Sequence, residues 1–263
     1  EEPKNFEHLK EYIKTLICMG NVSEARDNFN ALKKNYTQSD QLKNLEDTLN
    51  PNTKLDFFYK YLESIGVFEC EEGEMVKINS KPLPFLTNSF LNWFETQLWS
   101  NSNLLELGSG SSTLYFSNYF NSVKSYENNS DWYHKMTNEV AESVTLKFSE
   151  SIASELVNED FSKFDVVLID AAESRSEISR ILVKNKFKGI IFHDNAEWYR
   201  NSIEILTSAG YIEIPFFGLK PVYDFVASTS LLILKDDISK VFNSNWQKIP
   251  QFASYRQRNP WDD

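Results

Sequence analysis

The stretch that most restricts the fold lies near the middle of the chain. The apolar run Leu104-Leu105-Glu106-Leu107 passes without a linker into Gly108-Ser109-Gly110, and Ser111-Ser112-Thr113-Leu114 follows. A buried strand, a glycine turn and a helix start in immediate succession make the first βα step of a parallel sheet. Glycine tolerates the sharp reversal and lacks the Cβ that would keep backbone amides away from a ligand. Ser112 or Thr113 is placed to cap the helix that follows.

The pattern downstream agrees with this step. Strands are expected at residues 104–107, 123–127, 144–148, 166–170 and 189–193, with helices between them at 112–120, 131–140, 151–157 and 174–185. A further helix at 197–209 leads to strands at 211–217 and 228–235. The loop joining those strands holds Gly218 and Pro221 and is too short for a helical crossover, so the last two strands pair antiparallel. The expected fold class is therefore α/β, a Rossmann-like sheet of five parallel strands closed by an antiparallel hairpin, over residues 81–263. Residues 1–80 read differently, as an N-terminal helical block. Leu9, Ile13, Leu16 and Ile17, then Ala25, Phe29 and Leu32, recur at helical spacing, and another helix is expected at 55–65. Gly20-Asn21 and Pro51-Asn52 are its breaks. Pro82-Leu83-Pro84 forces an extended lead-in to an amphipathic helix at 88–98, whose Phe90, Trp93 and Phe94 read as core.

Charge and cysteine content narrow the function. The net charge of −11, with no dense Lys/Arg block, opposes a nucleic-acid backbone, so no nucleic-acid partner is expected. No apolar run is long enough to cross a bilayer, which argues against a membrane partner. Cys18 and Cys70 are far apart and form no CxxC pair, which points to a reducing, cytoplasmic setting.

A glycine turn alone suits several nucleotide ligands. Two details separate them. Thr113 stands where a dinucleotide fingerprint requires its third glycine, and Glu106 lies two residues before the first glycine. With Glu127 ending the second strand, residues 104–235 resemble the class I S-adenosylmethionine-dependent methyltransferases. The resemblance implies that Glu106, Gly108, Ser109, Gly110, Ser112 and Thr113 cradle the methionine end of S-adenosylmethionine. It further implies that Glu127 accepts hydrogen bonds from the ribose hydroxyls, a task suited to an acceptor-only carboxylate. Asn128 and Trp132 would border the adenine, Ser149 or Glu150 would meet its amino group, and Asp170 would flank the cofactor.

Two strand ends remain, Ile169-Asp170-Ala171-Ala172-Glu173 and Phe192-His193-Asp194-Asn195. Asp170, Asp194 and Asn195 form a hard oxygen set suited to Mg²⁺ or another divalent cation. The set is similar to that of the catechol, caffeoyl-coenzyme A and macrocin-type O-methyltransferases, where such a metal lowers the pKa of the acceptor hydroxyl. Against this, Asp194 could serve only as a helix cap. Those relatives carry a lysine base where this chain has Glu173, so Asp170, Glu173 and His193 are the catalytic candidates. Arg175, Arg180, Arg200, Lys220 and Tyr223 border the same region, either as an anion-holding cluster or as solvent-facing charges. The resemblance implies a small-molecule acceptor, methylated at oxygen, such as a sugar or phosphorylated building block of a surface glycan or secondary metabolite. The helical block would cover the site or form a homodimer, with residues 82–87 as a lid or a cofactor-contacting entry loop. Two other readings remain, an NAD-dependent oxidoreductase and a non-catalytic adaptor with a relic fold.

Overall fold

The computed structural model describes residues 4–18, 22–35, 45, 46, 49, 54–65, 75–78, 81–223 and 225–240. Gly20-Asn21, Pro51-Asn52 and Cys70 lie outside them. The chain divides into two compact units, Glu1–Glu63 and Ser64–Asp263.

The smaller unit holds α1 (Lys4–Cys18), α2 (Val22–Asn35) and most of α3 (Lys54–Ser64). Its core is built by the expected stripes: Phe6, Ile13 and Leu16 from α1 meet Ala25, Phe29 and Leu32 from α2, with Leu45 and Leu49. Residues three, four and seven apart share one helix face, so each stripe is buried while Lys14, Lys33 and Lys34 stay in water.

The larger unit begins with a short hairpin, β1 (Lys77–Ile78) and β2 (Lys81–Pro82), followed by α4 (Asn88–Phe94). A seven-stranded sheet follows: β3 (Asn103–Leu107), β4 (Ser122–Glu127), β5 (Val144–Phe148), β6 (Val166–Ile169), β7 (Ile190–Asp194), β8 (Tyr211–Leu219) and β9 (Val226–Leu234). The spatial order is β5-β4-β3-β6-β7-β9-β8, with the first five strands parallel and β9 antiparallel to both β7 and β8. Its connecting helices are α5 (Ser111–Phe116), α6 (Ser130–Thr137), α7 (Ile152–Leu156), α8 (Arg175–Lys184) and α9 (Arg200–Ser208).

Both sheet faces are covered, so β6 is buried along its whole length, Val166-Val167-Leu168-Ile169. Alternate residues feed two cores. Leu105, Leu107, Val167, Ile169 and Ile191 pack on Ile152, Ile178, Leu182, Ile203 and Leu206. On the other face Leu104, Val123, Leu168, Phe192 and Leu231 pack on Phe90, Phe94, Trp99, Phe116 and Phe120.

Helix ends depart from the sequence reading where side chains tie down the flanking turns. α4 stops at Phe94 rather than reaching residue 98, because Trp99 Nε1 donates to the Phe94 carbonyl at 2.9 Å and Thr96 Oγ1 to that of Trp93 at 2.6 Å. α9 starts at Arg200 rather than 197. The Glu197 carboxylate is held by the backbone N–H and the hydroxyl of Ser228, which ties this turn to β9.

Candidate functional site

The carboxyl ends of the five parallel strands bring residues 108–113, 128–132, 149–153, 170–175 and 195–199 to one edge. Between β3 and β6 the strand order reverses, which is where open α/β sheets bind ligands. A depression of about 460 Å³ lined by Phe161, Phe187 and Ile233 holds none of these residues.

The glycine turn is fixed from both sides. Gly108 has φ +100°, and a Cβ there would stand 2.7 Å from the Asp170 carbonyl oxygen. Its N–H donates to the Tyr126 carbonyl at 2.8 Å, while the Asp170 N–H donates to that of Leu107 at 2.9 Å. Gly110 is different: its backbone is extended, and an added Cβ would meet nothing closer than the Trp132 ring at 3.8 Å. No neighbouring protein atom requires glycine there. Trp132 borders the turn through its Nε1, which donates to the Ser109 carbonyl at 2.7 Å.

Glu106 is wholly buried and faces the protein. Its carboxylate accepts from Ser112 Oγ at 2.6 Å, Thr113 Oγ1 at 2.5 Å and Ser125 Oγ at 2.6 Å. Burial pushes its pKa up to about 7, against the opposite pull of the three hydroxyls. Ser112 and Thr113 lie within the first turn of α5 rather than before it. Thr113 Oγ1 accepts the Gly110 N–H at 2.9 Å, so Glu106 sets the shape of the turn through the hydroxyls.

Glu127, at the end of β4, is the carboxylate nearest the turn in hydrogen-bonding terms. Its Oε2 accepts from the Ser109 N–H and hydroxyl, both at 2.9 Å, and its Oε1 from the N–H groups of Asn128 and Asn129 at 2.9 and 2.7 Å. Asn128 Nδ2 donates to the Ala172 carbonyl at 3.3 Å, joining this edge to the loop after β6. Ser149 donates its N–H to the Glu127 carbonyl at 2.9 Å and its hydroxyl to that of Ser151.

Two of the candidate bases are committed elsewhere. Glu173 holds the start of α7, accepting from the Ile152 N–H at 2.8 Å, the Ser151 hydroxyl at 2.9 Å and the Ala153 N–H at 3.3 Å. His193 is fully buried, with Nε2 2.9 Å from Ser202 Oγ and Nδ1 3.0 Å from the Asp194 carbonyl. Burial first, and then the nearby Arg175 charge, lower its pKa to about 3, so it stays neutral and structural. Its place was legible: it alternates in phase with Ile191 on the helix-covered face of β7.

Asp170 remains at the edge with 24% of its side chain exposed, its Oδ1 3.1 Å from Arg175 Nη2. Burial and the Asp194 charge raise its pKa, with Arg175 and Lys220 opposing. Arg175 belongs to neither expected class. It is buried, donates to the carbonyls of Ile169, Ala171 and Asp194, and stacks on Tyr199 with its guanidinium carbon 4.1 Å from the ring centre. Arg180 is exposed, and Arg200 forms a two-pronged pair with Glu213 at 2.9 and 3.0 Å.

The oxygen set does not fit a divalent ion. Asp194 Oδ2 is bonded to the ammonium of Lys220, which also donates to Asn195 Oδ1 at 3.1 Å, while Asp194 Oδ1 accepts from Thr229 Oγ1 at 2.9 Å. Among the described residues, Asp170 and Asp194 are each paired with a cation, Arg175 and Lys220, so neither offers a free charge to Mg²⁺. Among the described residues no group of three or more His, Cys, Asp or Glu is set to bind a metal. Lys220 follows β8 directly, and the lone cation in Phe216-Phe217-Gly218-Leu219-Lys220-Pro221 was the sequence signal for a buried charge.

Aromatic rings rim this end. Phe85, from the 82–87 lead-in, lies edge-on to Tyr223 at 4.9 Å; Tyr223 stacks on Phe225 at 4.5 Å; and Trp198 follows at 6.2 Å. The lead-in is tied to the hairpin by Thr87 Oγ1, which donates to the Phe216 carbonyl at 3.0 Å, and by the Thr87 N–H, which donates to Thr229 Oγ1 at 3.1 Å.

Comparison with solved structures follows the same topology. An O-methyltransferase from Bacillus cereus, solved in complex with SAH, superposes with a TM-score of 0.50 at 14% identity, covering 67% of this chain and 96% of that one. The fold is that of the class I methyltransferases. Precorrin-6y C5,15-methyltransferase from Geobacter metallireducens is a further match (TM-score 0.43, 17% identity, 63% of this chain and 92% of that one). Another is Aeropyrum pernix fibrillarin with natively bound S-adenosyl-L-methionine (0.43, 14%, 55% and 72%). No protein-family model and no curated protein significantly matches the chain.

Proposed function

We propose that this protein transfers a methyl group from S-adenosylmethionine to a hydroxyl oxygen of a small-molecule acceptor. The observation that carries the reading is the pairing of a carboxylate at the end of β4, Glu127, with the glycine turn after β3, next to the sheet's reversal point. The residues suit the cofactor. Glu127 can accept from a ribose diol, Asn128 and Ser149 edge the space beyond, and Gly110 keeps a side chain away although no protein neighbour demands it. Bound there, S-adenosylmethionine supplies a sulfonium methyl group and leaves as S-adenosylhomocysteine, its sulfur keeping the electron pair of the broken C–S bond.

Asp170 is the group that takes the acceptor's proton as the new O–C bond forms. With Glu173 and His193 committed elsewhere, it is a partly exposed acid beside the reversal point, and its raised pKa makes it a better base than an ordinary aspartate. Holding the acceptor oxygen about 3–3.5 Å from the methyl carbon supplies much of the remaining rate. The rim of Phe85, Trp198, Tyr223 and Phe225 favours an acceptor with a ring face, aromatic or sugar, since such faces stack on side-chain rings.

Thermal unfolding with S-adenosylhomocysteine and with NAD⁺ tests the reading. Saturation with S-adenosylhomocysteine at about a hundredfold its Kd should stabilise the fold by roughly 3 kcal/mol, and NAD⁺ should not. A shift with NAD⁺ alone would favour an oxidoreductase, and no shift with either would favour an adaptor.

A further inference from the structure

The carboxyl edge holds an arrangement that neither the fold nor the methyl-transfer reading calls for. Lys220 lies outside the five parallel strands, yet its ammonium has no exposure and sits between Asp194 Oδ2 and Asn195 Oδ1. Phe85 closes it off from a third side, with its ring centre 5.4 Å from Nζ. These are two of the three oxygens that a divalent ion would use, and the third bearer, Asp170, is paired with Arg175.

Burying an ammonium is costly unless its partners repay the lost hydration, so a lysine is retained in such a place only with tight oxygen partners. Asn195 carries a further cost. Its φ is +47°, in the left-handed region, and its Nδ2 is buried with no hydrogen-bond partner among the described residues. The backbone and the amide are thus held for the Lys220 contact rather than for their own satisfaction.

We propose that Lys220 is a resident cation, its ammonium standing between Asp194 and Asn195 where a divalent ion would otherwise sit, so that this edge works without metal. Lys220 is a positioning residue: it neutralises Asp194, leaves Asp170 facing the acceptor, and anchors the β8–β9 loop that carries Tyr223. It would serve the methyl transfer proposed above, but the readout chosen is metal binding, so either reading can fail without the other.

The experiment is a Mn²⁺ titration of the full chain, followed by thermal unfolding and by the paramagnetic resonance signal of free Mn²⁺. Wild type should show no bound Mn²⁺ and no shift in Tm. Lys220→Ala should lower Tm and gain Mn²⁺ affinity by roughly tenfold or more, with Mn²⁺ restoring part of the lost Tm. Adding Asp194→Asn to Lys220→Ala should abolish that gain. A purely structural lysine would leave a variant that Mn²⁺ cannot rescue, which overturns the proposal. Mn²⁺ binding by wild type that Asp194→Asn removes also overturns it, and this arm holds even if Lys220→Ala does not fold.

Discussion

Replacing Glu106 by glutamine separates a carboxylate that shapes the turn from one that touches ligand. The side chain is fully buried and its pKa stands at about 7, against an ordinary 4.5. Below the ordinary value both folded and unfolded chains carry the proton, and the fold keeps its full stability. As pH rises towards about 7 the unfolded chain ionises freely while the folded one resists, so stability is lost across that window. The displacement corresponds to about 3 kcal/mol, or roughly 6–12 °C in Tm for a chain of this size. His193 titrates in the opposite sense. Held neutral with its pKa lowered to about 3, it makes the fold gain stability as pH climbs towards the ordinary histidine value. The wild-type profile alone therefore mixes opposing slopes, Asp170 adding its own, and the assay is the difference between wild type and Glu106→Gln in urea unfolding over a pH series. Wild type should lose ground to the variant from pH 4.5 to 7 and run parallel above it. A difference that is flat with pH refutes the buried titration. The variant should also bind S-adenosylhomocysteine within about tenfold of wild type, since Glu106 acts through Ser112, Thr113 and Ser125.

Other substitutions read other parts of the site. Glu127→Ala should weaken S-adenosylhomocysteine binding about tenfold by calorimetry, because the ribose hydroxyl that would take the place of Ser109 then finds no charged acceptor. Gly108→Ala should destabilise the fold by more than about 1 kcal/mol, since its Cβ would strike the Asp170 carbonyl at a backbone angle of φ +100°. Gly110→Ala should fold normally, as judged by circular dichroism, and lose cofactor affinity. Asp170→Asn should lower kcat by roughly 10²–10⁴-fold. In wild type kcat should fall on the acid side as Asp170 takes up its proton, at a higher pH than an ordinary aspartate would, and His193→Gln should leave that limb in place. Trp198→Ala should raise KM more than it lowers kcat if the aromatic rim holds the acceptor.

The parallel strands were legible because both faces of the sheet are covered, which makes runs such as Val166-Val167-Leu168-Ile169 continuously apolar. The antiparallel hairpin followed from loop length alone. Helix ends were less legible, since Trp99 folds back onto α4 from the turn after it and Ser228 holds Glu197 from β9. The glycine turn, Glu127 and Asp170 could be located from local order, because a strand end states its own position. Partnership could not: Asp194 and Lys220 are 26 residues apart, and only the folded hairpin shows that the supposed metal ligand already has a cation. Glu173 likewise reads as a free acid until α7 is seen resting its N-terminus on it.

Ser109 has a consequence for selectivity. Its hydroxyl already donates to Glu127 Oε2, and the two contacts on each Glu127 oxygen together use the carboxylate's accepting capacity. In the proposed binding mode a ribose hydroxyl takes over from the serine, and the tally of bonds on Glu127 stays level. The sugar then contributes shape but little net affinity. What distinguishes one nucleoside from another is whatever is joined to its two ends, so adenosine alone should be held weakly. Ser109→Ala, by clearing the internal competitor, should hold it more tightly.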